Sequence, residues 1–258
     1  MAQALHKPSD IRTQVSDAEW QVRVDLAAAY RLVDYYGWTD MIFTHLSARV
    51  PGPEHHFLIN PYGMMFDEVT ASDLVKVDLD GNVVLSNGYD INPAGFCIHS
   101  AIHMAREDAK AVMHLHTDDG VAVSAMADGL MPITQTAMVL HDQIAYHEFE
   151  GVALNLSERE RLVSDIADKR LLILRNHGTL ATGEGVSDCF LMLYTFERAC
   201  TMQVRALSGG AKLHLPSEQS LQTTREQGKS LMMPGSLDAL AWPALIRMLD
   251  KKCPDYKH

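Results

Sequence analysis

Three histidines stand at positions from which their side chains could meet around one metal ion. His114 and His116 are two residues apart near the end of a predicted strand, so both side chains point to one face, about 6.6 Å apart along the strand. His177 follows a continuous apolar run and precedes Gly178, at the end of a second predicted strand. Neutral imidazole is the commonest metal ligand among protein side chains. The spacing fits a three-histidine metal site with an open position, and it also fits a structural histidine pair with a separate turn histidine.

No other motif in the sequence carries a comparable chemical signal. Gly183-Glu184-Gly185 lacks the third glycine of a dinucleotide-binding loop, and the sequence contains no P-loop, zinc-protease or serine-hydrolase motif. Asp118 and Asp119 follow His116 and are expected to cap a helix. The alternative is that one of them accepts a hydrogen bond from a metal-binding histidine.

Composition places the chain among folded proteins with a sizeable core. It has 258 residues, with 47 % hydrophobic and 21 % charged, which excludes a disordered chain. The formal net charge of -11 disfavours nucleic acid and anionic lipid, because both repel a negative surface. No apolar run approaches the roughly 20 residues that span a bilayer. We therefore expect neither a nucleic-acid partner nor a membrane partner.

The cysteines indicate a reducing compartment. Cys97, Cys189, Cys200 and Cys253 are scattered without a CxxC pair. Residues 1–15 are expected to form a loose arm and contain no apolar stretch typical of a signal peptide. Free thiols in a chain of this kind are typical of the cytoplasm, so the sequence predicts a cytoplasmic protein.

Helix and strand signals alternate along the chain and place the histidines at strand ends. The apolar spacing predicts helices over residues 17–36, 93–106, 118–127, 158–168 and 188–208. Polar residues at helix starts are expected to cap them, above all Ser16, Ser157 and Ser187. Apolar runs predict strands over residues 41–50, 56–60, 75–79, 83–85, 109–116 and 171–174. Residues 130–150 show a less regular pattern.

This order of elements predicts an α/β fold with a mixed sheet covered by helices, because helices and strands intermix and one tight hairpin turns at Asp80-Gly81-Asn82. We expect a single domain over residues 1–258, with a core at about 17–210. Residues 211–258 are expected to form a polar, helical appendage interrupted by Pro216, Pro234 and Pro243.

Eight blocks in chain order make the sequence resemble the class II aldolase and adducin family. Two of them, residues 112–117 and 175–180, contain the three histidines. The remaining blocks are residues 26–32, 43–49, 56–63, 68–76, 92–96 and 99–103. The resemblance extends over about residues 17–210 and is greatest to the adducin head domain and its bacterial relatives.

The resemblance implies a three-layer α/β/α sandwich with a central, largely antiparallel sheet. It also implies a divalent metal held by His114, His116 and His177, most often zinc, with manganese or iron as alternatives. Enzymes of the family are cytosolic homotetramers that act on small molecules in clefts between subunits. Their metal acts as a Lewis acid that stabilises an enediolate, which serves aldol cleavage, epimerisation and decarboxylation.

Two departures from the aldolase pattern bear on the substrate. Nineteen positions before His114, where the aldolases carry an acidic proton carrier, this chain has Gly95. The phosphate-binding loops of the aldolases are replaced by Thr44-His45, Tyr62-Gly63 and Pro93-Ala94. Because these segments offer few donors for a phosphate, we expect a substrate without one.

Three residues are expected to bind the substrate, namely His45, Arg49 and Tyr62. His45 and Arg49 suit a carboxylate. The residue that carries a proton in place of the missing acid stays open among His45, His99, Tyr62 and the C-terminal segment of a neighbouring subunit.

Together these observations favour a metal-dependent lyase that cleaves or decarboxylates a small, non-phosphorylated, oxygenated acid or ketone. A second hypothesis is a non-catalytic, adducin-like assembly module, which Gly95 favours. A third is an iron-dependent oxygenase, because three histidines without a carboxylate also suit iron.

Overall fold

An eight-stranded mixed sheet forms the centre of the fold in the computed structural model, which describes residues 11–85, 88–152 and 155–258. The strands, in spatial order, are β4-β3-β2-β1-β5-β8-β7-β6. Every neighbouring pair is antiparallel except β6 and β7, which are parallel. The strands are β1 (His45–Arg49), β2 (Phe57–Ile59), β3 (Val75–Val77), β4 (Val83–Leu85), β5 (Ala111–Leu115), β6 (Ile144–His147), β7 (Leu171–Leu174) and β8 (Gly178–Gly183).

Helices cover both faces of this sheet. They are α1 (Ile11–Gln14), α2 (Asp17–Tyr35), α3 (Pro93–Ala105), α4 (Asp118–Ser124), α5 (Gln135–Leu140), α6 (Glu158–Ile166), α7 (Val186–Ser208), α8 (Glu218–Leu231) and α9 (Asp238–Lys252). Single 3-10 turns lie at His141–Gln143 and Pro254–Lys257.

The alternation of side chains along β5 shows the three layers. Met113 and Leu115 pack into one apolar core with residues of α2 and α7. Val112 packs into a second core with residues of α3 and α6. Because successive side chains of a strand point to opposite faces, His114 lies on the α3 side with Val112. The predicted three-layer fold is therefore confirmed, and the imidazole of His114 lies on the α3 face.

The first long helix begins as the sequence predicts. The hydroxyl of Ser16 accepts a hydrogen bond from the main-chain N–H of Glu19 at 3.1 Å. The carboxylate of Glu19 is engaged elsewhere, accepting hydrogen bonds from Arg23 at 3.0 Å and from Lys76 at 2.8 Å. This buried ion-pair network ties α2 to β3.

Two predicted helix caps differ in the structure. Ser157 is the N-cap residue of α6 as predicted, but it has helical backbone angles and its side chain caps no N–H group. The cap predicted at Ser187 is wrong, since Ser187 lies inside α7 and Gly185 is the N-cap residue. The hydroxyl of Ser187 instead donates to Asp238 on α9 at 3.0 Å.

Several predicted boundaries also change. The strand expected over residues 41–50 begins only at His45, because Met41 and Thr44 have positive φ angles of 50° and 69°. Residues 130–150 contain α5 and β6, and β8 was not predicted. Pro243 lies inside α9 rather than between helices. Of the expected N-terminal arm, residues 11–14 form α1 and residues 1–10 lie outside the described residues.

The C-terminal helices pack onto the α2 and α7 layer. α8 contacts α5, and α9 contacts both α7 and α2. Arg225 of α8 bonds the ring of His141 at 2.8 Å, and the indole N–H of Trp242 donates to Asp25 at 3.3 Å. Within residues 11–85, 88–152 and 155–258, no helix combines the length and apolar character needed to cross a bilayer.

Candidate metal centre

The structure brings the three predicted metal ligands together where β5 ends and β8 begins, in the middle of the sheet. The ring centroids of His114, His116 and His177 lie 4.7 to 4.8 Å apart. One nitrogen from each ring falls within 4.8 Å of the other two. The three histidines that the sequence predicts at strand ends therefore surround one point in the structure.

Two adjacent antiparallel strands position these rings. His114 lies in β5 and His116 directly follows it, while His177 lies in the turn between β7 and β8. Asn176 makes this turn with a φ of 56°, a conformation that asparagine tolerates better than most residues. A β-carbon at Gly178 would lie 2.3 Å from the main-chain oxygen of Leu115, so only glycine lets β8 pair with β5 here.

Hydrogen bonds fix which ring nitrogen of His114 and of His116 faces the centre. The Nδ1–H group of His114 donates to the main-chain oxygen of Thr179 at 2.8 Å. The Nδ1–H group of His116 donates to Asp40 at 3.0 Å. Both Nε2 atoms then present lone pairs to each other at 2.9 Å. Two lone pairs at this separation repel unless a cation or a proton lies between them, so these residues fit a divalent metal ion.

Burial keeps the imidazoles of His114 and His177 neutral, which is the form that binds metal. Burial, followed by the neighbouring imidazoles of His116 and His147, lowers the pKa of His177 to about 4. Burial and the same kind of neighbours lower the pKa of His114 well below its usual range. At neutral pH, His114 and His177 therefore offer uncharged rings.

The cluster opens into a cavity of about 550 Å³. His45, Thr44 and Tyr62 line its walls. Phe149 and Val152 also line the cavity, and both side chains are exposed. Among the described lining residues, Asp40 is the only acid and none is a lysine or arginine. The described lining therefore supplies one acidic side chain, neutral polar groups and apolar surface, and no lysine or arginine.

His45 and Thr44 have polar atoms without partners in this wall. His45 is 5 % exposed, and neither of its ring nitrogens has a hydrogen-bond partner among the described residues. Burial, then the imidazoles of His116 and His177, lower the pKa of His45 to about 3. The fully buried hydroxyl of Thr44 also lacks a partner in the described part of the chain.

A row of buried side chains supports His45 from behind. The Nδ1–H group of His103 faces the main-chain oxygen of Ala109 at 3.2 Å, so its Nε2 accepts from the Ser47 hydroxyl at 2.8 Å. The oxygen of Ser47 then accepts from Nδ1 of His99 at 2.6 Å. The ring of His99 meets that of His45 edge to face, with centroids 5.9 Å apart.

The other two predicted substrate-binding residues lie in different places. Tyr62 lines the same cavity as the histidines. The guanidinium of Arg49 instead donates to the main-chain oxygens of His103 and Arg106, away from the cavity lining. Arg49 is four residues beyond His45 on β1, roughly 13 Å along the strand.

Sequence reasoning missed three residues of the site. Asp40, rather than Asp118 or Asp119, bonds a ligand histidine, and the latter two occupy the first turn of α4 behind the cap of Thr117. Thr44 was singled out only as part of a segment that replaces a phosphate loop and not as a site residue. Its positive φ, in a β-branched residue, stores about 1–3 kcal/mol of strain. Glu197 gave only a weak signal, as an acid in an apolar helix pattern, and it is buried behind the site.

The comparison with known sequences is consistent with this geometry. A family model described as the class II aldolase and adducin N-terminal domain matches residues 24–204. The chain belongs to the class II aldolase and adducin family. A Caulobacter vibrioides relative, whose name assigns it provisionally to the class 2 aldolases, is 56 % identical over 99 % of this chain and 99 % of its own length. Alpha-adducin of Mus musculus is 40 % identical over 89 % of this chain and 33 % of the adducin.

Solved structures of this class II aldolase and adducin family share the fold. An aldolase II superfamily protein from Pseudomonas syringae has a TM-score of 0.93 at 51 % identity, covering 97 % of this chain and 100 % of that one. An L-fuculose 1-phosphate aldolase from Glaciozyma antarctica has a TM-score of 0.82 at 27 % identity, covering 98 % of both chains. The resemblance and the fold predicted from the sequence are thereby confirmed.

Proposed function

We propose that this chain is a divalent-metal-dependent lyase that acts on a small, non-phosphorylated, oxygenated acid or ketone by carbon–carbon cleavage or decarboxylation. The observation that carries the proposal is the convergence of three imidazoles in the lining of one cavity, with the Nε2 atoms of His114 and His116 2.9 Å apart. Family membership supports the reaction class.

His114, His116 and His177 would hold the metal. When bound, a divalent ion supplies Lewis-acid polarisation of a substrate oxygen. Asp40 holds the ring of His116 by its hydrogen bond, and the main-chain oxygen of Thr179 does the same for His114. These two acceptors keep the Nδ1 protons on the outer side of the rings, so the inner nitrogens stay free.

The substrate would be oriented by the unpartnered groups of the cavity wall. His45 carries one N–H and one lone pair, and Thr44 carries one hydroxyl, and none of these is used by the described residues. A hydroxyl, carbonyl or carboxylate oxygen satisfies them, which offsets the cost of burying them. Tyr62 lines the same cavity and can cover the bound molecule.

The same wall supports a substrate without phosphate. A phosphate monoester carries close to two negative charges and requires several donors or a cation. The described lining residues include no lysine and no arginine, and Pro93 offers no N–H. Asp40 adds a negative charge to the cavity.

We propose zinc as the metal, with manganese or iron as the alternatives. Cys97, Cys189, Cys200 and Cys253 are all free thiols, which supports a cytoplasmic location. We also propose a homotetramer, because the exposed side chains of Phe43, Phe149 and Val152 surround the cavity and are suited to a neighbouring copy.

A non-catalytic assembly role is the second candidate function. The similarity to alpha-adducin and the glycine at position 95, which supplies no proton carrier, favour it. This role predicts a folded oligomer that turns over no substrate even when loaded with metal.

Elemental analysis of the purified full chain, followed by a substrate screen, tests the proposal. We expect close to one zinc per chain and metal-dependent consumption of a non-phosphorylated hydroxy or keto acid. His45→Gln should weaken substrate binding while leaving metal content unchanged. A chain that binds no divalent metal contradicts the proposal, and iron with oxygen consumption would establish the oxygenase instead.

A further inference from the structure

We propose that the buried carboxyl group of Glu197 is a positioning group for the histidine cluster, because it joins the two chain segments that carry the three imidazoles. Glu197 lies on α7, behind the cavity, and is 1 % exposed. The inference rests on the proposed metal site and concerns how this chain holds it.

Each oxygen of the Glu197 carboxyl group accepts one hydroxyl hydrogen bond. Oε2 accepts from the Thr117 hydroxyl at 2.5 Å. Oε1 accepts from the Thr179 hydroxyl. The two threonines belong to separate elements, since Thr117 is the N-cap residue of α4 and Thr179 lies in β8. One side chain therefore bridges the end of β5 and the start of β8.

The two threonines connect Glu197 to all three histidines. Thr117 directly follows His116 in the chain. Thr179 is two residues beyond His177, and its main-chain oxygen accepts the Nδ1–H group of His114 at 2.8 Å. A displacement of either threonine would therefore move at least one imidazole.

The geometry of the bridge is fixed from both sides. The main-chain N–H of Gly120 donates to the Thr117 hydroxyl oxygen at 2.9 Å, which leaves the hydroxyl proton for Glu197. α7 packs against both β5 and β8, so the carboxyl group projects from a helix held on the two strands that it joins. Ligands supported from packed elements keep their geometry better than ligands on free loops.

The charge of Glu197 also suits a neighbouring cation. In the described part of the chain, no basic side chain is bonded to either carboxylate oxygen. A buried carboxylate without a basic partner is costly unless a cation lies nearby. A divalent ion on the histidines would supply that opposite charge.

Zinc affinity and the cobalt absorption spectrum of the full chain test the proposal. Replacing groups that orient metal ligands typically costs 10–100-fold in metal affinity. Glu197→Ala should therefore weaken Zn²⁺ binding by about 10–100-fold, measured by competition with a chromophoric chelator, and should alter the visible spectrum of bound Co²⁺. Glu197→Gln keeps the size but has one acceptor oxygen for the two hydroxyl donors and no charge, so it should recover only part of the affinity.

Thr117→Val and Thr179→Val each remove one hydroxyl at nearly constant volume. Each should lower Zn²⁺ affinity, and neither should lower it further in the Glu197→Ala background, because they act through the same bridge. Glu19→Ala is the matched control, since Glu19 is a buried acid whose partners, Arg23 and Lys76, lie outside the cavity lining. It should lower stability without changing the Co²⁺ spectrum.

The outcomes separate this inference from the proposed function. If the unmodified chain binds no Zn²⁺, the proposed metal function fails and the inference fails with it. If the unmodified chain binds Zn²⁺ and folded Glu197→Ala binds it within twofold with the same Co²⁺ spectrum, only the inference is overturned. Should Glu197→Ala not fold, the two threonine variants decide by the same criterion.

Discussion

The imidazole of His45 occupies the space that a side chain at position 95 would need. A β-carbon built on Gly95 would lie 2.5 Å from Cγ and Nδ1 of His45, closer than nonbonded atoms approach. Gly95 lies in α3 and His45 begins β1, so a buried strand and a helix meet at this point. An acidic side chain at position 95 and an imidazole at position 45 therefore exclude each other sterically in this fold.

Gly95→Ala should destabilise the protein although alanine favours helix. The gain in helix propensity is about 1 kcal/mol, whereas overpacking a buried contact costs about 1–3 kcal/mol. We expect a net loss in urea unfolding that disappears in the His45→Ala background. Gly209→Ala is the control, because a β-carbon there meets no atom within 4 Å. Equal stability of Gly95→Ala and the unmodified chain would show that the ring of His45 moves aside freely.

His116→Ala should abolish stoichiometric metal binding. Removing one of three imidazoles leaves two ligands, and metal binding to the folded state alone stabilises it by about 2.7 kcal/mol at a hundredfold excess over Kd. The variant should therefore lose the rise in melting temperature that added Zn²⁺ gives the unmodified chain. His214→Ala, at an exposed histidine outside the cluster, should behave like the unmodified chain. Unchanged metal content in His116→Ala would show that the three histidines do not bind the metal together.

Glu197→Gln should change the pH dependence of stability of the metal-free protein. Burial, with a smaller contribution from Asp119, raises the pKa of Glu197 from 4.5 to about 7. A raised carboxyl pKa stabilises the folded state fully below the unfolded pKa, and this contribution disappears as pH rises through about 7. Glutamine does not titrate, so Glu197→Gln does not lose this stabilisation as the pH rises. The unfolding free energy of the variant minus that of the unmodified chain should therefore rise by about 2–3 kcal/mol between pH 5 and pH 8. Urea unfolding at pH 5, 6.5 and 8 measures this difference. If the difference in unfolding free energy between Glu197→Gln and the unmodified chain is the same at all three pH values, Glu197 does not titrate in this range.

Sugar phosphates should not be cleaved by the zinc-loaded protein. The cavity offers no lysine or arginine among the described lining residues to meet a phosphate dianion. L-Fuculose 1-phosphate, rhamnulose 1-phosphate and ribulose 5-phosphate can be assayed directly for dihydroxyacetone phosphate, glycolaldehyde phosphate or an epimer. Turnover above about 1 s⁻¹, the low end of typical enzyme rates, would show that the cavity accepts a phosphorylated substrate after all.

The protein should be a homotetramer in solution. Phe149 and Val152 are 55 % and 75 % exposed beside the cavity, and a neighbouring copy would remove this apolar surface from water. Multi-angle light scattering at micromolar concentration should give close to four times the chain mass of 28.7 kDa. A mass of one chain would refute the tetramer.

The elements that the sequence predicted best carry strong local signals. Ser16 precedes an apolar stretch of helical spacing and caps α2 as expected. The apolar run of β7 is buried throughout. By contrast β8, with glycine at both ends and Thr-Leu-Ala-Thr between them, has no alternation because both of its faces are buried. Its pairing with β5 and β7, rather than its own residue pattern, makes it a strand.

The part of the candidate site that lies at strand ends could be predicted from the sequence. The part formed by residues far apart in the chain could not. The two-residue spacing of His114 and His116 fixes their shared face. Asp40 and Glu197 reach the site from other elements, and no local pattern in the sequence connects them to it. Arg49 shares a strand face with His45, yet its guanidinium is used by main-chain oxygens at the end of α3.

The antiparallel pairing of β5 with β8 also determines when the histidine cluster can form during folding. His114 and its hydrogen-bond acceptor Thr179 are 65 positions apart in the chain. Closing a loop of that length costs entropy before any contact compensates for it, and nonlocal strand pairs of this kind form slowly. Of the three proposed ligands, an unfolded chain can offer a metal only the neighbouring pair His114 and His116 together. An ion held by all three histidines would therefore bind only after the sheet has closed, and it would stabilise the finished fold rather than nucleate it.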